Sequence, residues 1–514
     1  MNRMLLRNAT FCFVLAIVPA SASDWLSFGG DPQRTGWAQG EKDITPSNAK
    51  DLTLLWKSSL DSPARELNSL TAAIAAEWVV TPKGMKEIVV VGGASDDLFA
   101  LDAETGKVLW KKTFTAEVKP KQAPFWLCPN ALNATPLIAK RGLNVLVFAI
   151  SSDGKLHTLD IHNGEDKAPP IQFVPAFSKN WSLGLQNNVL YTTVSQGCNG
   201  AKSGVYSMDL TSPDKKISFF QSSSNGAGVW GRAGAVISPS GFVYVQTGDG
   251  EYNPAAGKYP DTVLQLSAGD LKLVDYFTPA NHAYLTRKDL DSGSMSAVYF
   301  KFKDWQLLAS GGKEGVLSLL DAKAVGGGDH KTPLFRGPLV VNEEADFAGK
   351  GFWGSFATWE DDAGARWLAV PALGAPSNKV SFAHGNGDVP NGSIMAFQVE
   401  EKAGKPILTP AWISRDMNAP DPPIVANGVV YAVSTGEFNR QWKPEGGLFN
   451  SKERAALHTG NAILYAFDAS TGKELFSSGN TMPGWTHFSG ISIQGGRIYV
   501  TTFDSTVYAF GLKQ

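Results

Sequence analysis

Side chains able to do acid–base or cation chemistry gather in a few short, glycine-rich segments. They are Gly228-Val229-Trp230-Gly231-Arg232, Thr247-Gly248-Asp249-Gly250, Asp289-Leu290-Asp291, Gly311-Gly312-Lys313-Glu314-Gly315 and Trp485-Thr486-His487. A carboxylate in such a loop can take the proton of a hydroxyl or hold a hard cation through its oxygens. A lysine can sit on negative charge as it develops, and an indole offers a flat apolar surface. The histidines are scattered without zinc-ligand spacing. The sequence has no Gly-x-Ser-x-Gly elbow, P-loop or dinucleotide fingerprint. It also has no Cys-x-x-Cys-His, so no haem is expected and electrons taken from a substrate would go to an external acceptor.

Loops of this kind need a rigid frame, and an internal repeat supplies one. The clearest unit is Ala100-Leu101-Asp102-Ala103-Glu104-Thr105-Gly106-Lys107-Val108-Leu109-Trp110, which returns as Ala466-Phe467-Asp468-Ala469-Ser470-Thr471-Gly472-Lys473-Glu474-Leu475-Phe476. Weaker copies stand at 158–164 and 319–323. Each reads as strand, tight turn, strand. The Asp side chain can accept turn amides, Gly takes a positive φ, and the last aromatic packs between neighbouring sheets. Two alternating β-rich stretches precede each copy, as at 428–433 and 496–501, so each unit reads as four antiparallel strands.

Outer strands at 108–110, 171–173, 217–220, 273–277, 333–335, 410–413 and 474–476 give seven blades. An eighth runs to Phe510 and lacks an outer strand, whereas Leu52-Thr53-Leu54-Leu55-Trp56-Lys57 is a strand without a sheet. Donating it to the last blade closes the ring and removes the free edge. The expected fold is an all-β, eight-bladed propeller closed by its N-terminal strand. In such a meander the loops before strand one and between strands two and three share a face. The segments named above, with long insertions near 371–391 and 436–460, all fall on it.

At the N-terminus, Arg3 and Arg7 precede an apolar run at 11–18 and the small residues Ala20-Ser21-Ala22. This reads as a cleavable signal peptide, residues 1–22, followed by one propeller domain, 23–514. The apolar run is too short to span a bilayer, so a periplasmic or secreted protein with no membrane span is expected. Cleavage removes Cys12 and leaves Cys128 and Cys198, which project to the same face from adjacent blades and are expected to form a disulfide. A net charge of −2 without basic clusters argues against a nucleic-acid partner.

The eleven-residue repeat resembles the tryptophan-docking motif of the pyrroloquinoline-quinone (PQQ) dehydrogenases and their relatives. The opening Asp24-Trp25-Leu26-Ser27-Phe28-Gly29-Gly30-Asp31, with Arg34-Thr35-Gly36, is similar to the start of such proteins. In that family the cofactor lies flat on a tryptophan beside a metal held by carboxylates and an amide. An aspartate takes the alcohol proton, and a cation faces the quinone oxygens. The resemblance therefore implies Trp230 as the floor and Asp291 as the base. It implies Asp249, where the family usually has asparagine, and Asp291 as ligands of calcium or a lanthanide. Lys313 would be the quinone-facing cation, with Arg232 and Trp485 also in the cofactor pocket, and the substrate would be an alcohol or polyol.

The sequence also departs from the family. The adjacent Cys-Cys pair that caps the quinone is absent, and the metal-binding glutamate position falls nearest Cys198, within Ser195-Gln196-Gly197-Cys198-Asn199-Gly200. Non-enzymatic scaffolds share the repeat, among them the β-barrel assembly lipoprotein of outer membranes. A second reading therefore stands beside the first: a propeller without redox chemistry that binds a protein, peptide or glycan through its loop-rich face. On that reading Trp230, Trp353 and Trp485 plug the channel, Asp249 and Asp291 shape turns, Lys313 is a solvated lysine, and Arg232 and His487 line channel water.

Overall fold

In the computed structural model, residues 24–81, 84–222, 228–487 and 489–513 are described; the expected leader, 1–22, lies outside them. The repeat behaves as its chemistry requires. Asp102 Oδ1 accepts the backbone N–H groups of Glu104 and Thr105, at 3.2 and 3.0 Å, and Asp468 does the same for Ser470 and Thr471. The turn then presents Gly106 at φ +70°, where a Cβ would lie 2.5 Å from the ring of Trp56 in the blade next door. Trp56 also donates its indole N–H to Ala103 O at 2.9 Å. Trp110 docks in the same way on Gly164 and Ile161 O, and Trp412 on Gly472 and Ala469 O. Each tryptophan thus pins one blade to the turn of the next.

Eight antiparallel sheets follow one another around the axis. The first comprises Ile74–Thr81, Gly84–Gly93, Asp97–Asp102 and Val108–Thr113. The last comprises Ile491–Gln494, Arg497–Thr501, Thr506–Gly511 and, antiparallel to Thr506–Gly511, the N-terminal strand Thr53–Ser59. The expected closure is therefore present. Blade five's outer strand is Phe335–Leu339, two residues later than its sequence pattern suggested. Apolar clusters fill the gaps between blades, among them Ile74, Val90, Ile138 and Val147 between blades one and two. Burial of this kind contributes roughly 25 cal/mol per Å².

The segment after Asp24 has a second task. Its backbone joins the inner strands of several blades in turn: Trp25 to Ala75, Leu26 O to Ile138 N, Pro32 O to Ile237 N, Thr35 O to Thr358 N and Gly36 O to Val425 N. Arg34 is buried, donating to Phe28 O at 2.7 Å, Leu183 O at 3.0 Å and Ala235 O at 3.1 Å. Phe28 packs with Ala72 and Ala233 of blades one and four. This strap fills the hub from within and leaves a cavity at the loop-rich end.

Candidate functional site

Loops of blades four, five and six assemble the site. Trp230 precedes the inner strand of blade four, Val236–Ile237, and Asp249 follows Val243–Gln246. Asp289 and Asp291 lie between the short helix His282–Lys288 and Val298–Phe302, and Lys313 between Trp305–Ser310 and Val316–Asp321. Residues far apart in sequence meet here. Trp230 donates its indole N–H to Asp291 Oδ2 at 2.8 Å. A Cβ on Gly248 would stand 2.8 Å from that oxygen and 3.0 Å from Trp230 Nε1, so only glycine lets the blade-four loop pass so close. Trp353 meets Trp230 edge-on, with centroids 5.4 Å apart.

Lys313 Nζ lies 2.6 Å from Asp291 Oδ1 and 2.7 Å from Asp289 Oδ1, and 5.3 Å from the ring centroids of both Trp230 and Trp353. It is 4% exposed, which rules out a solvated loop lysine. Burial opposes its charge, yet Asp291 and Asp289 hold the ammonium above its ordinary value. Asp249, Asp289 and Asp291 each bring an oxygen within 4.8 Å of the others. Burial, with Asp291 adding repulsion, raises the Asp249 carboxyl. Asp289 is pushed to about 6 mainly by burial, against the pull of Lys313. Behind them Asp261, held by Thr286 Oγ1 at 2.8 Å and Ser292 N at 3.2 Å, is driven to about 8 by burial and by Asp291. Three carboxylates, backed by Asp261, share one ammonium, a site short of positive charge. Asp291 Oδ1 is buried and accepts no directed hydrogen bond, despite the ammonium beside it.

These groups line a cavity of about 220 Å³. Its far wall carries Trp126, Lys179, Trp181, Glu437 and Arg454. Glu437 pairs with Arg454 at 2.9 Å and His487 at 2.7 Å. Cys128 and Cys198 are bonded across blades two and three, and the bond anchors the loop that presents Trp126 and Leu127 to the cavity. The insertion at 436–460 borders the cavity through Glu437, Asn439, Gln441 and Arg454, whereas that near 371–391 reaches it through Leu373 and then turns outward, where His384–Gly385 pairs with the outer strand Lys405–Ile413.

Of the residues singled out from sequence, Trp230, Asp249, Asp291 and Lys313 converge on the cavity. Arg232 sits deeper, on a smaller polar chamber of about 30 Å³ that shares Lys179, Trp181 and His487 with it. Trp485 lines neither; it stacks on Phe503 and packs with Leu67 and Trp126. Lys179, Trp126, Glu437 and Arg454 escaped the sequence reading. Each stands alone in an unremarkable loop, and only its place on the loop-rich face could have pointed to it.

Residues 25–191 match the family model for the glucose/ethanol/alcohol dehydrogenase β-propeller domain. A 1-butanol dehydrogenase (cytochrome c) of Thauera butanivorans is 30% identical over 158 residues, which are 30% of this chain and 20% of that protein. The match thus spans about a fifth of the relative's length. Among solved structures, the quinohemoprotein alcohol dehydrogenase of Comamonas testosteroni superposes with a TM-score of 0.59 at 14% identity, over 96% of this chain and 81% of that one. A europium-containing methanol dehydrogenase gives 0.58 at 12% identity, over 95% and 98%.

Proposed function

We propose that the chain, which matches the glucose/ethanol/alcohol dehydrogenase β-propeller family model over residues 25–191 and shares its fold with a quinohemoprotein alcohol dehydrogenase, oxidises an alcohol with a bound quinone. The observation that carries this reading is the meeting of the Asp291 carboxylate with the Trp230 indole and the Lys313 ammonium at the cavity. That carboxylate lines the cavity and can accept a hydroxyl proton. The residues fit the group: Trp230 and Trp353 offer flat apolar surface, the carboxylate trio suits a hard cation, and Lys313 faces both. When bound, the quinone supplies the two-electron acceptor, and calcium or a lanthanide makes it more electrophilic.

The chain's own groups do the rest. Asp249, Asp289 and Asp291 would hold the cation. Lys313, 2.6 Å from Asp291 Oδ1, steadies negative charge that develops near it. Trp230 fixes Asp291 Oδ2 and Lys313 holds Oδ1, so the carboxylate that would take the proton is oriented from both sides. Trp126 and Trp181 wall the cavity from the opposite side and restrict water. Arg232 and Trp485 act one layer out, Arg232 under the floor of the cavity and Trp485 behind Trp126. The Cys128–Cys198 bond and the leader at 1–22 support action in the periplasm or outside the cell, with an external electron acceptor. No helix among the described residues is long and apolar enough to cross a membrane.

A dye-linked assay with the metal- and quinone-loaded chain tests the proposal. Alcohol-dependent dye reduction should be lost by at least a hundredfold in Asp291→Ala and Lys313→Met. Turnover that survives in Asp291→Ala would remove the base from the scheme.

A further inference from the structure

The cavity carries opposite charge imbalances on its two sides. On one, Asp249, Asp289 and Asp291 gather around Lys313. On the other, Lys179, Arg232 and Arg454 are set against Glu437 and Asp421. Glu437 is occupied by Arg454 and His487, and Asp421 Oδ2 accepts Gly490 N at 3.0 Å. His487 is lowered to about 4 by burial, so it adds no positive charge near neutral pH.

Lys179 breaks the balance. It is 6% exposed; its Nζ donates to Trp126 O at 3.3 Å and stands 5.4 Å from the Trp181 ring centroid. Among the described residues no carboxylate reaches it, and its charged neighbours are Arg232 and Arg454. Burial, with repulsion from Arg232 and Arg454, lowers Lys179 to about 7, so its ammonium is costly there unless an anion joins it. Lys179 borders the main cavity and Arg454 lies on the same wall, so an entering anion meets both.

We infer that Lys179, with Arg454 and Arg232 beside it, forms a carboxylate-binding subsite facing the acidic cluster across one cavity. A ligand held there would be an anion at one end and present oxygens to Asp249 and Asp291 at the other. Two sources share that chemistry, a hydroxy-acid substrate and the carboxylates of the quinone itself. The substrate source rests on the proposed oxidation; the subsite does not.

Calorimetry on the full mature chain, without metal or quinone, separates the sources. The probes are D-glycerate against glycerol, and PQQ against its uncharged trimethyl ester. The charged member of at least one pair should bind tenfold or more tightly than its neutral partner. Lys179→Met, checked for native near-UV circular dichroism, should remove that preference and leave the neutral probe unchanged. Glu437→Gln, which withdraws a competing negative charge, should strengthen it. A preference for glycerate assigns the subsite to a substrate, and a preference confined to PQQ assigns it to the cofactor; either supports the inference. Equal binding of charged and neutral probes by the unmodified chain, binding of none, or a preference that persists in Lys179→Met overturns it. Glycerate binding by a chain that retains no quinone would keep the subsite and reject the oxidation. Retained quinone without charge preference would do the reverse.

Discussion

The indole N–H of Trp230 is bonded to Asp291 Oδ2 at 2.8 Å, so the proposed floor and the proposed base form one unit. Hydrogen bonds to charged groups are worth about 1.5–3 kcal/mol. Trp230→Phe keeps a flat ring and loses the bond. Quinone retention should fall only a few-fold, while turnover drops roughly ten- to a hundredfold, the rate equivalent of that bond. Trp230→Ala should lose both. Equal retention in Phe and Ala variants would show that the ring is not the platform.

The trio Asp249, Asp289 and Asp291 should bind a hard trivalent probe. Terbium is expected at one per chain, with emission sensitised by indole excitation because Trp230 touches Asp291. Asp249→Ala and Asp289→Ala should each weaken it at least tenfold. Sensitised emission unchanged in both variants would place the ion elsewhere.

The Cys128–Cys198 bond closes a span of 70 residues. Chain-entropy reasoning gives it about 4 kcal/mol. Cys128→Ser with Cys198→Ser should lower the unfolding midpoint by several degrees and, because the bond anchors the Trp126 loop, weaken ligand retention as well. A double variant that loses stability but binds normally would separate the loop from the site.

Much of this was legible in the sequence for a physical reason. The Asp-x-x-Thr-Gly turn and its tryptophan are local chemistry repeated around a ring, so the residues that build the frame announce it. Trp230, Asp249, Asp291 and Lys313 are singled out by the family resemblance, and their loops, before inner strands or between strands two and three, put them on one face. Lys179, Glu437 and Arg454 could not, since their meaning comes from side chains in other blades. Trp485 was placed one layer too far inward: position before an inner strand fixes the face of the wheel, and packing on Phe503 then decides which way the indole turns. The opening residues 24–31 and 34–36 read as a family signature, and the way that segment fills the hub depends on backbone bonds that no local pattern displays.

His487 supplies a pH dependence of stability. Burial lowers it to about 4, against the pull of Glu437, whereas an unfolded histidine titrates near about 6.5. As pH falls through that window the unfolded chain takes up a proton that the folded chain refuses, so stability drops, by up to about 3 kcal/mol. Glu437, buried yet held below the usual carboxylate value by His487 and Arg454, adds a loss of the same sign at lower pH. Denaturant titrations from pH 7 to 4.5 should show the decline, and His487→Gln should flatten it. An unchanged slope in that variant would assign the loss to other groups.

The central claim is that Trp230, Asp249, Asp291 and Lys313 together hold a quinone and a cation. The mature chain, mixed with PQQ and either calcium or a lanthanide and then desalted, should keep about one quinone absorbance equivalent. It should keep none after Trp230→Ala or Asp291→Ala. Passage of all the quinone through the column with every cation tried, by the folded unmodified chain, would contradict the account.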